Sequence, residues 1–510
     1  MDGLLLGLDI GTTGTKCLAV DADGTIIRQA YQSYPTSTPQ PGFAEQNAED
    51  WWQAVLTTVR TCLPEEELRH AVTAIGLSSQ GGSLVPIDVN GSPLRPAIVW
   101  LDQRGVQESA YFRENLPEDY FYLATGWNLS AGLNAVEILW LKEHEPQIFA
   151  GTDKFLSTLD FITGRLTGQY VIDPSNAGIS QLYNINERDW DRRILDLIGI
   201  TPDRLAKVMD SGAPIGTLCS RAADELGLPR QTVVVNGGHD QYCVALGAGA
   251  IHDGDIMLAT GTSWVALAVS DQPQFNSRTH AAQSIHTVKG KWGSIQSLSN
   301  GGICLEWFRS KMERKLPDQA VPALCGSLES YQALDHFIDG RGPALQGPLF
   351  FPYFNGSPEP NHATQNRGTF LGLDLSHDRY DLIRAIMEGV VYQTVWMMDT
   401  LRPAGQQEPL LLKMLGGAGN STVWTQMVAD ILGNPVQKPG MTQAACAGAA
   451  ILAGLATRQF RTPAEGYKKL AGEDQIIYPD PIRSERYQLL FARYKRLALT
   501  LADCYDVWQP

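Results

Sequence analysis

Four short segments carry residue types that can handle phosphate. The first is Asp9-Ile10-Gly11-Thr12-Thr13-Gly14-Thr15-Lys16. Its glycines allow a tight turn with backbone N–H groups facing outward. The hydroxyls of Thr12 and Thr13 add donors for phosphate oxygens, and Lys16 completes the set. Asp9, at a strand end, could hold a hydrated Mg²⁺ beside those oxygens. This is not a Walker loop, which needs Gly-Lys-Ser/Thr opening a helix. A second hydroxyl-rich turn, Ala259-Thr260-Gly261-Thr262-Ser263, suits another group of phosphate oxygens. A third, Leu415-Gly416-Gly417-Ala418-Gly419-Asn420-Ser421, lets backbone approach a flat base or a phosphate. The fourth, Gly237-Gly238-His239-Asp240-Gln241, puts a carboxylate after a buried strand, where it could take a proton from an alcohol. Each alone also reads as a solvated hairpin or, for Asp240, as a helix cap. Phosphoryl transfer needs phosphate cradles, a metal carboxylate and a base together, and their co-occurrence carries the reading.

A further group is suited to an acceptor. Gln80, Gly81 and Gly82 end a strand, and Trp100, Asp102 and Arg104 lie within Ile98-Val99-Trp100-Leu101-Asp102-Gln103-Arg104. An indole face stacks on sugar C–H groups, while carboxylate and guanidinium bond hydroxyls. The plainer alternative for Asp102 and Arg104 is an ion pair after a strand. His239 reads as structural or peripheral rather than catalytic.

The elements that must position these residues form two blocks. Leu4 to Asp9, Thr15 to Val20 and Thr25 to Tyr31 are expected strands joined by Gly/Thr and Asp/Gly turns. A helix is expected over Ala48 to Leu63 with Asn47 as its cap, and others near Glu108 to Leu116 and Glu137 to His144. Val72 to Leu77 and Gln231 to Asn236 are expected buried strands, the latter running into a glycine turn, and a hairpin is expected around Asp88-Val89-Asn90-Gly91. The opening logic then repeats with strands over Asp255 to Ala259 and Trp264 to Val269. Tyr380 to Leu401 is a long helix pattern, Leu410 to Met414 a strand, and Val423 to Leu432 and Ala444 to Thr457 are helices. The expected division is two α/β halves, 1–250 and 251–510, with a cleft between them.

Composition sets the limits. The 510 residues are 44% hydrophobic and 19% charged, which excludes a disordered chain, a collagen or a coiled coil. A formal charge of −15 argues against binding nucleic acid or an anionic membrane without excluding a phosphorylated ligand. The start of the chain lacks the features of a secretory signal, and no apolar run is long enough to span a bilayer. Eight scattered cysteines without a CxxC pair read as reduced thiols of a cytoplasmic protein, with little support for structural zinc.

Taken in order, the segments resemble the FGGY carbohydrate kinase family of the actin/hexokinase/Hsp70 superfamily, over nearly the whole chain. LGLDIGTTGTK resembles its first phosphate motif, and EQNAEDWWQAV its E-Q-x-P-x-x-W-W segment with Ala48 in place of proline. IVWLDQR is similar to its sugar segment, GGHDQYCVALGAG to the stretch around its catalytic aspartate, and ATGTSW to its second phosphate motif. The stretch from LFFPYFNGSPEP to EGVVYQ is similar to the source of the family's diagnostic patterns, and LGGAGNSTVWTQMVADILGNPV to its adenosine motif.

The resemblance implies two ribonuclease-H-like (actin-like ATPase) α/β domains flanking a deep catalytic cleft, with ATP and Mg²⁺ in it and a small sugar or polyol as acceptor. By position, Asp240 would be the base and Asp9 would sit by the metal. Gly11, Thr12, Thr13, Lys16, Gly261 and Thr262 would line the phosphates, and Gly302, Gly417 and Asn420 would border ADP. Gln80, Gly81, Gly82, Trp100, Asp102 and Arg104 would face the acceptor. Bacterial xylulokinases are the nearest overall pattern, so xylulose, another ketose or a polyol is the expected acceptor, and a homodimer is an allowed assembly. Those relatives carry Gln-Met-His-Gly where Gln80-Gly81-Gly82-Ser83 stands, which predicts a roomier and differently polar sugar pocket. They carry Trp-Asn-Asp-Gly-Arg where Leu101 and Gln103 intervene here, and the aspartate motif is usually Gly-Asp-Asn. A non-catalytic sugar or nucleotide sensor on the same fold is the alternative, disfavoured by the presence of both Asp9 and Asp240.

Overall fold

The computed structural model describes residues 3–311, 335, 338–339, 341–343, 345–357, 360, 365–401 and 411–508. Six strands form the first sheet: β1 (Leu4–Ile10), β2 (Gly14–Val20), β3 (Ile26–Ser33), β4 (Val72–Ser79), β5 (Pro214–Thr217) and β6 (Val233–His239), in the order β5-β6-β4-β1-β2-β3. β1 runs antiparallel to β2 and parallel to β4, β2 antiparallel to β3, and β4 parallel to β6. β1 is apolar on both faces, with Leu4, Leu5, Leu6, Leu8 and Ile10 fully buried, as a strand covered on both sides must be.

The second sheet has seven strands: β7 (Ile256–Thr260), β8 (Trp264–Ser270), β9 (Ala282–Ile285), β10 (Trp292–Leu298), β11 (Leu412–Gly416), β12 (Val436–Lys438) and β13 (Gln475–Ile477), in the order β9-β10-β8-β7-β11-β12-β13. Its core repeats the first sheet strand for strand. β7 is antiparallel to β8 and parallel to β11, β8 antiparallel to β10, and β11 parallel to β12. The expected pairing of two α/β halves, each opening on a strand, a Gly/Thr turn and a strand, is therefore a structural duplication.

Helices cover both sheets. α1 (Ala48–Cys62) is capped by the Asn47 side chain, which accepts from Glu49 N–H at 3.2 Å, and buries Trp51 and Trp52. α2 (Asp240–Gly247) leaves the end of β6. In the second half lie α3 (Arg379–Asp399), α4 (Thr422–Leu432), α5 (Ala444–Ala456) and α6 (Pro481–Trp508).

The halves interlock through α5. Although it follows β12 in the chain, α5 packs against β1 and β4 of the first sheet and against α2. Four glycines bring the backbones together. A Cβ at Gly7 would lie 1.9 Å from the Cys446 carbonyl oxygen, and one at Gly76 1.9 Å from that of Ala449. At Gly247 and Gly448 the corresponding oxygens, of Ala444 and Cys243, would be 1.9 and 2.0 Å away. One apolar cluster accordingly mixes Leu5, Leu18, Ala74 and Val235 with Ala447, Ala450 and Ile451.

One local expectation changes. The glycine turn after Asn236 is instead the end of β6, where a bulge between Val235 and Gly238 shifts the register against β4. Asp88–Gly91 forms the expected hairpin turn, with Ile87 bridged antiparallel to Pro93 and Leu94 N–H donating to the Pro86 carbonyl at 2.9 Å, and the Val85–Ile87 strand also pairs with Lys154–Leu156. Among the described residues the cysteines are free thiols, and Cys325 lies outside them. Among the described residues no helix is long and apolar enough to cross a membrane.

Candidate active site

β1, β4 and β6 are adjacent and parallel, and their C-terminal ends bring Asp9, Ser78 and Asp240 to one place, where ligands of such sheets bind. Ser78 Oγ donates to Asp9 Oδ1 at 2.8 Å, and Lys16 Nζ lies 3.8 Å from Oδ2. Burial pushes the Asp9 carboxyl up to about 6; Lys16 opposes the shift and the charge of Asp240 adds to it. The charge of Asp240 thus reaches the buried Asp9 carboxyl.

The Gly11–Thr13 turn is tied to the segments that carry Gln46, Gln80 and Trp100. Trp100 Nε1 donates to Thr12 Oγ1 at 3.0 Å. Gln46 Nε2 donates to the Thr12 carbonyl at 2.7 Å, while Gln46 Oε1 accepts from Trp51 Nε1 at 2.9 Å and from Gln80 Nε2 at 3.3 Å. The Tyr34 hydroxyl donates to the Gly11 carbonyl. Gln46 and Tyr34 were not singled out in the sequence. Gln46 stands in the EQNAEDWW segment, and only its contact with the turn exposes its role.

Asp102 and Arg104 form a buried clamp. Asp102 is fully buried and accepts from Ala44 N–H at 2.6 Å, from Arg104 N–H at 2.7 Å, and from Arg104 Nε and Nη2 at 2.9 and 2.8 Å. The guanidinium also reaches Glu45 at 2.7 Å and lies 4.0 Å over the Phe43 ring. The pair anchors the loop that presents Trp100, which is 45% exposed.

The space beside Gly81 and Gly82 is not the roomier one expected. A Cβ at Gly81 would meet His239 Cδ2 at 2.6 Å and Ile179 Cγ2 at 2.7 Å, and one at Gly82 would meet Leu133 Cδ2 at 2.4 Å. The volume that side chains at 81 and 82 would take is already filled, and an imidazole is supplied from position 239 instead. Gln80 Oε1, Trp127 Nε1 and His239 Nδ1 are buried and have no hydrogen-bond partner among the described residues.

In the second half the turn Gly261-Thr262-Ser263 is exposed. Gly302 N–H donates to the Gly261 carbonyl at 3.1 Å, and Ile303 N–H to the Thr262 carbonyl at 3.2 Å, so Gly302 braces the turn. Thr260 and Gly416 are partners in the β7–β11 register, which sets the third glycine segment beside the second phosphate turn. Gly416 has φ 95°, and a Cβ there would lie 2.5 Å from the Thr260 oxygen. Gly417 leads into a short 3₁₀ turn, Ala418–Asn420, and Asn420 is exposed.

Gly11 and Gly261 need no glycine for internal reasons. Neither has a positive φ, and a Cβ would come no nearer than 3.4 and 3.5 Å to another group. Both positions are therefore open on the side where a Cβ would stand. Asp9 offers one buried carboxylate oxygen-donor group, the kind of ligand that suits an Mg²⁺ ion held mostly by phosphate oxygens and water.

Duplicated sheets that each open on a Gly/Thr turn, with Asp9 and Asp240 at one end of the first, are the plan of a two-domain, ATP-dependent phosphotransferase of the actin-like fold. The FGGY family of carbohydrate kinases matches over residues 4–247 with its N-terminal domain and over 256–457 with its C-terminal domain, and the chain belongs to that family. Among its relatives are a gluconokinase of Bacillus subtilis (strain 168), 31% identical over 99% of this chain and 97% of the relative, and a xylulose kinase of the same organism, 29% identical over 97% and 96%. The crystal structure of xylulose kinase from Rhodospirillum rubrum superposes with a TM-score of 0.87 at 26% identity, covering 99% of this chain and all of the other.

Proposed function

We propose that this kinase transfers the γ-phosphoryl group of Mg-ATP to a hydroxyl of a small neutral sugar, a ketopentose such as xylulose or a related ketose or polyol. The observation that carries the reading is the pair Asp9 and Asp240, at the same end of two parallel strands that flank β4, with the charge of Asp240 acting on the buried Asp9 carboxyl. Asp240 accepts the proton of the attacking hydroxyl, a role worth about 10²- to 10⁴-fold. Asp9, oriented by Ser78, would hold Mg²⁺, which when bound neutralises charge on the phosphate oxygens. Gly11, Thr12, Thr13 and Lys16 on one side and Gly261 and Thr262 on the other receive the phosphates, and Gly302, Gly417 and Asn420 border the nucleotide. Gln80, Gly81, Gly82 and Trp100 shape the acceptor side, with Asp102 and Arg104 fixing the Trp100 loop.

The named relatives act on xylulose and on gluconate. Arg104 Nε and Nη2 are held by Asp102 and Glu45, which leaves its buried Nη1 alone without a partner among the described residues, and this narrow opening for a carboxylate favours a neutral acceptor. The test is ADP release across xylulose, other ketoses, polyols and gluconate, with Asp240→Asn as control. Turnover on a neutral sugar is expected, falling at least about 10²-fold in the variant while an ATP analogue still binds. Undiminished turnover by the variant would remove Asp240 from its role. Turnover on gluconate alone would overturn the neutral acceptor, and no ADP release with any acceptor would favour a non-catalytic sensor.

A further inference from the structure

His239 sits where the acceptor loop and the base meet. Its side chain is 8% exposed, and its Nε2 lies 3.2 Å from Asp240 Oδ1. The ring is boxed in: Trp127 meets it edge-on with centroids 6.2 Å apart, Tyr242 lies 5.9 Å away, and the Cδ2 edge fills the space above Gly81. Its backbone is fixed too. His239 N–H donates to Ser175 Oγ at 2.9 Å, and that hydroxyl donates to the fully buried Asp173, which also receives Asn176 Nδ2 at 2.7 Å. Asp240 itself is the first residue of α2, and its side chain is 28% exposed. Among the described residues its carboxylate has one basic group within ion-pair distance, and that group is His239.

We propose that His239 is a positioning residue for the phosphoryl transfer: seated in the space that Gly81 leaves open, its imidazole nitrogen directs the Asp240 carboxylate toward the acceptor hydroxyl. The inference rests on the kinase reading above. A rigid, caged ring next to a half-open carboxylate removes rotamers that point the base away from its proton, and loss of such alignment costs about tenfold to a hundredfold in rate. Gly81 is part of the device, since any Cβ there pushes on the ring edge. The imidazole thus arrives from the strand that carries the base.

The test separates position from packing. His239→Leu keeps the volume but removes the nitrogen, whereas His239→Gln can return a nitrogen near the Nε2 position. The expected result is a fall of about tenfold or more in kcat for His239→Leu with sugar KM changed less than about threefold, and recovery of most of that loss in His239→Gln. Gly81→Ala, which leaves His239 in place but displaces its ring, should lower kcat in the same way. In the combined variant Gly81→Ala/His239→Leu the loss should be at least about fivefold smaller than the product of the single losses, because both act through one contact. Equal rates for the Leu and Gln variants, a loss confined to KM, or multiplicative losses in the combined variant would each overturn the inference. The wild-type chain is assayed beside them: an inactive wild type overturns the kinase reading itself, whereas an active wild type with any of those three results overturns the positioning role alone.

Discussion

Glu137 shows how far a single side chain can depart from its usual chemistry here. It is fully buried, both its carboxyl oxygens lack a hydrogen-bond partner among the described residues, and it faces the Asp102–Arg104 clamp. Burial, with Asp102 adding and Arg104 and Arg95 opposing, holds its carboxyl well above the ordinary carboxylate range. The fold therefore binds this proton more tightly than the unfolded chain does. Its contribution to stability is complete below the ordinary glutamate range and is lost as pH rises from there toward the raised value. Glu137→Gln, neutral in both states, escapes that loss. The difference in melting temperature between the variant and wild type should grow in the variant's favour from acidic to alkaline buffer, and a difference independent of pH would refute a protonated Glu137. At this scale the placement of Asp9 at a strand end and of the Gly/Thr turns between strands was legible because turn chemistry is local. Gln46, Ser78 and Ser175 were not, since each acts through a partner tens of residues away. The pocket above Gly81 was misread for the same reason: its filling comes from Ile179 and His239.

At the scale of elements, the glycines facing α5 are the most exacting positions. Gly7 and Gly76 lie in β1 and β4, where a strand prefers branched side chains, and each faces a helix carbonyl at a distance no Cβ could tolerate. Gly7→Ala should cost about 3 kcal/mol in denaturant unfolding, the upper end of overpacking penalties, because the neighbour is backbone and cannot swing aside. A loss below about 1 kcal/mol would mean that α5 shifts freely on the sheet. Strand, turn and helix patterns were readable at this scale from period and punctuation. The bulge in β6 was not, because Gly237 and Gly238 follow a strand in the way a turn would; only the approach of Gly237 to the Leu77 backbone shows why glycine stands there.

For the whole molecule, duplication predicts motion. Two similar sheets each carry a Gly/Thr turn, and closure of the halves on bound ligands is the motion this plan predicts. Adding an acceptor sugar together with a nonhydrolysable ATP analogue should reduce the radius of gyration in solution scattering, as closure expels water from the site. An unchanged curve with both ligands bound would show that the site is complete without closure. The two-half plan was visible in the repeated strand–turn–strand opening, but the exchange of a helix between halves was not, because nothing in the Ala-rich run 444–456 says which sheet it covers.

That exchanged helix also decides how the molecule can be recombined. A graft that replaces residues 1–250 with those of a relative would put a foreign surface under α5, whose Cys446, Ala449 and Ala444 carbonyls fit glycines at 7, 76 and 247. The exchangeable unit is therefore discontinuous: the first sheet travels with residues 444–456, and a change of acceptor specificity made by domain exchange has two junctions in the second half besides the one between the halves.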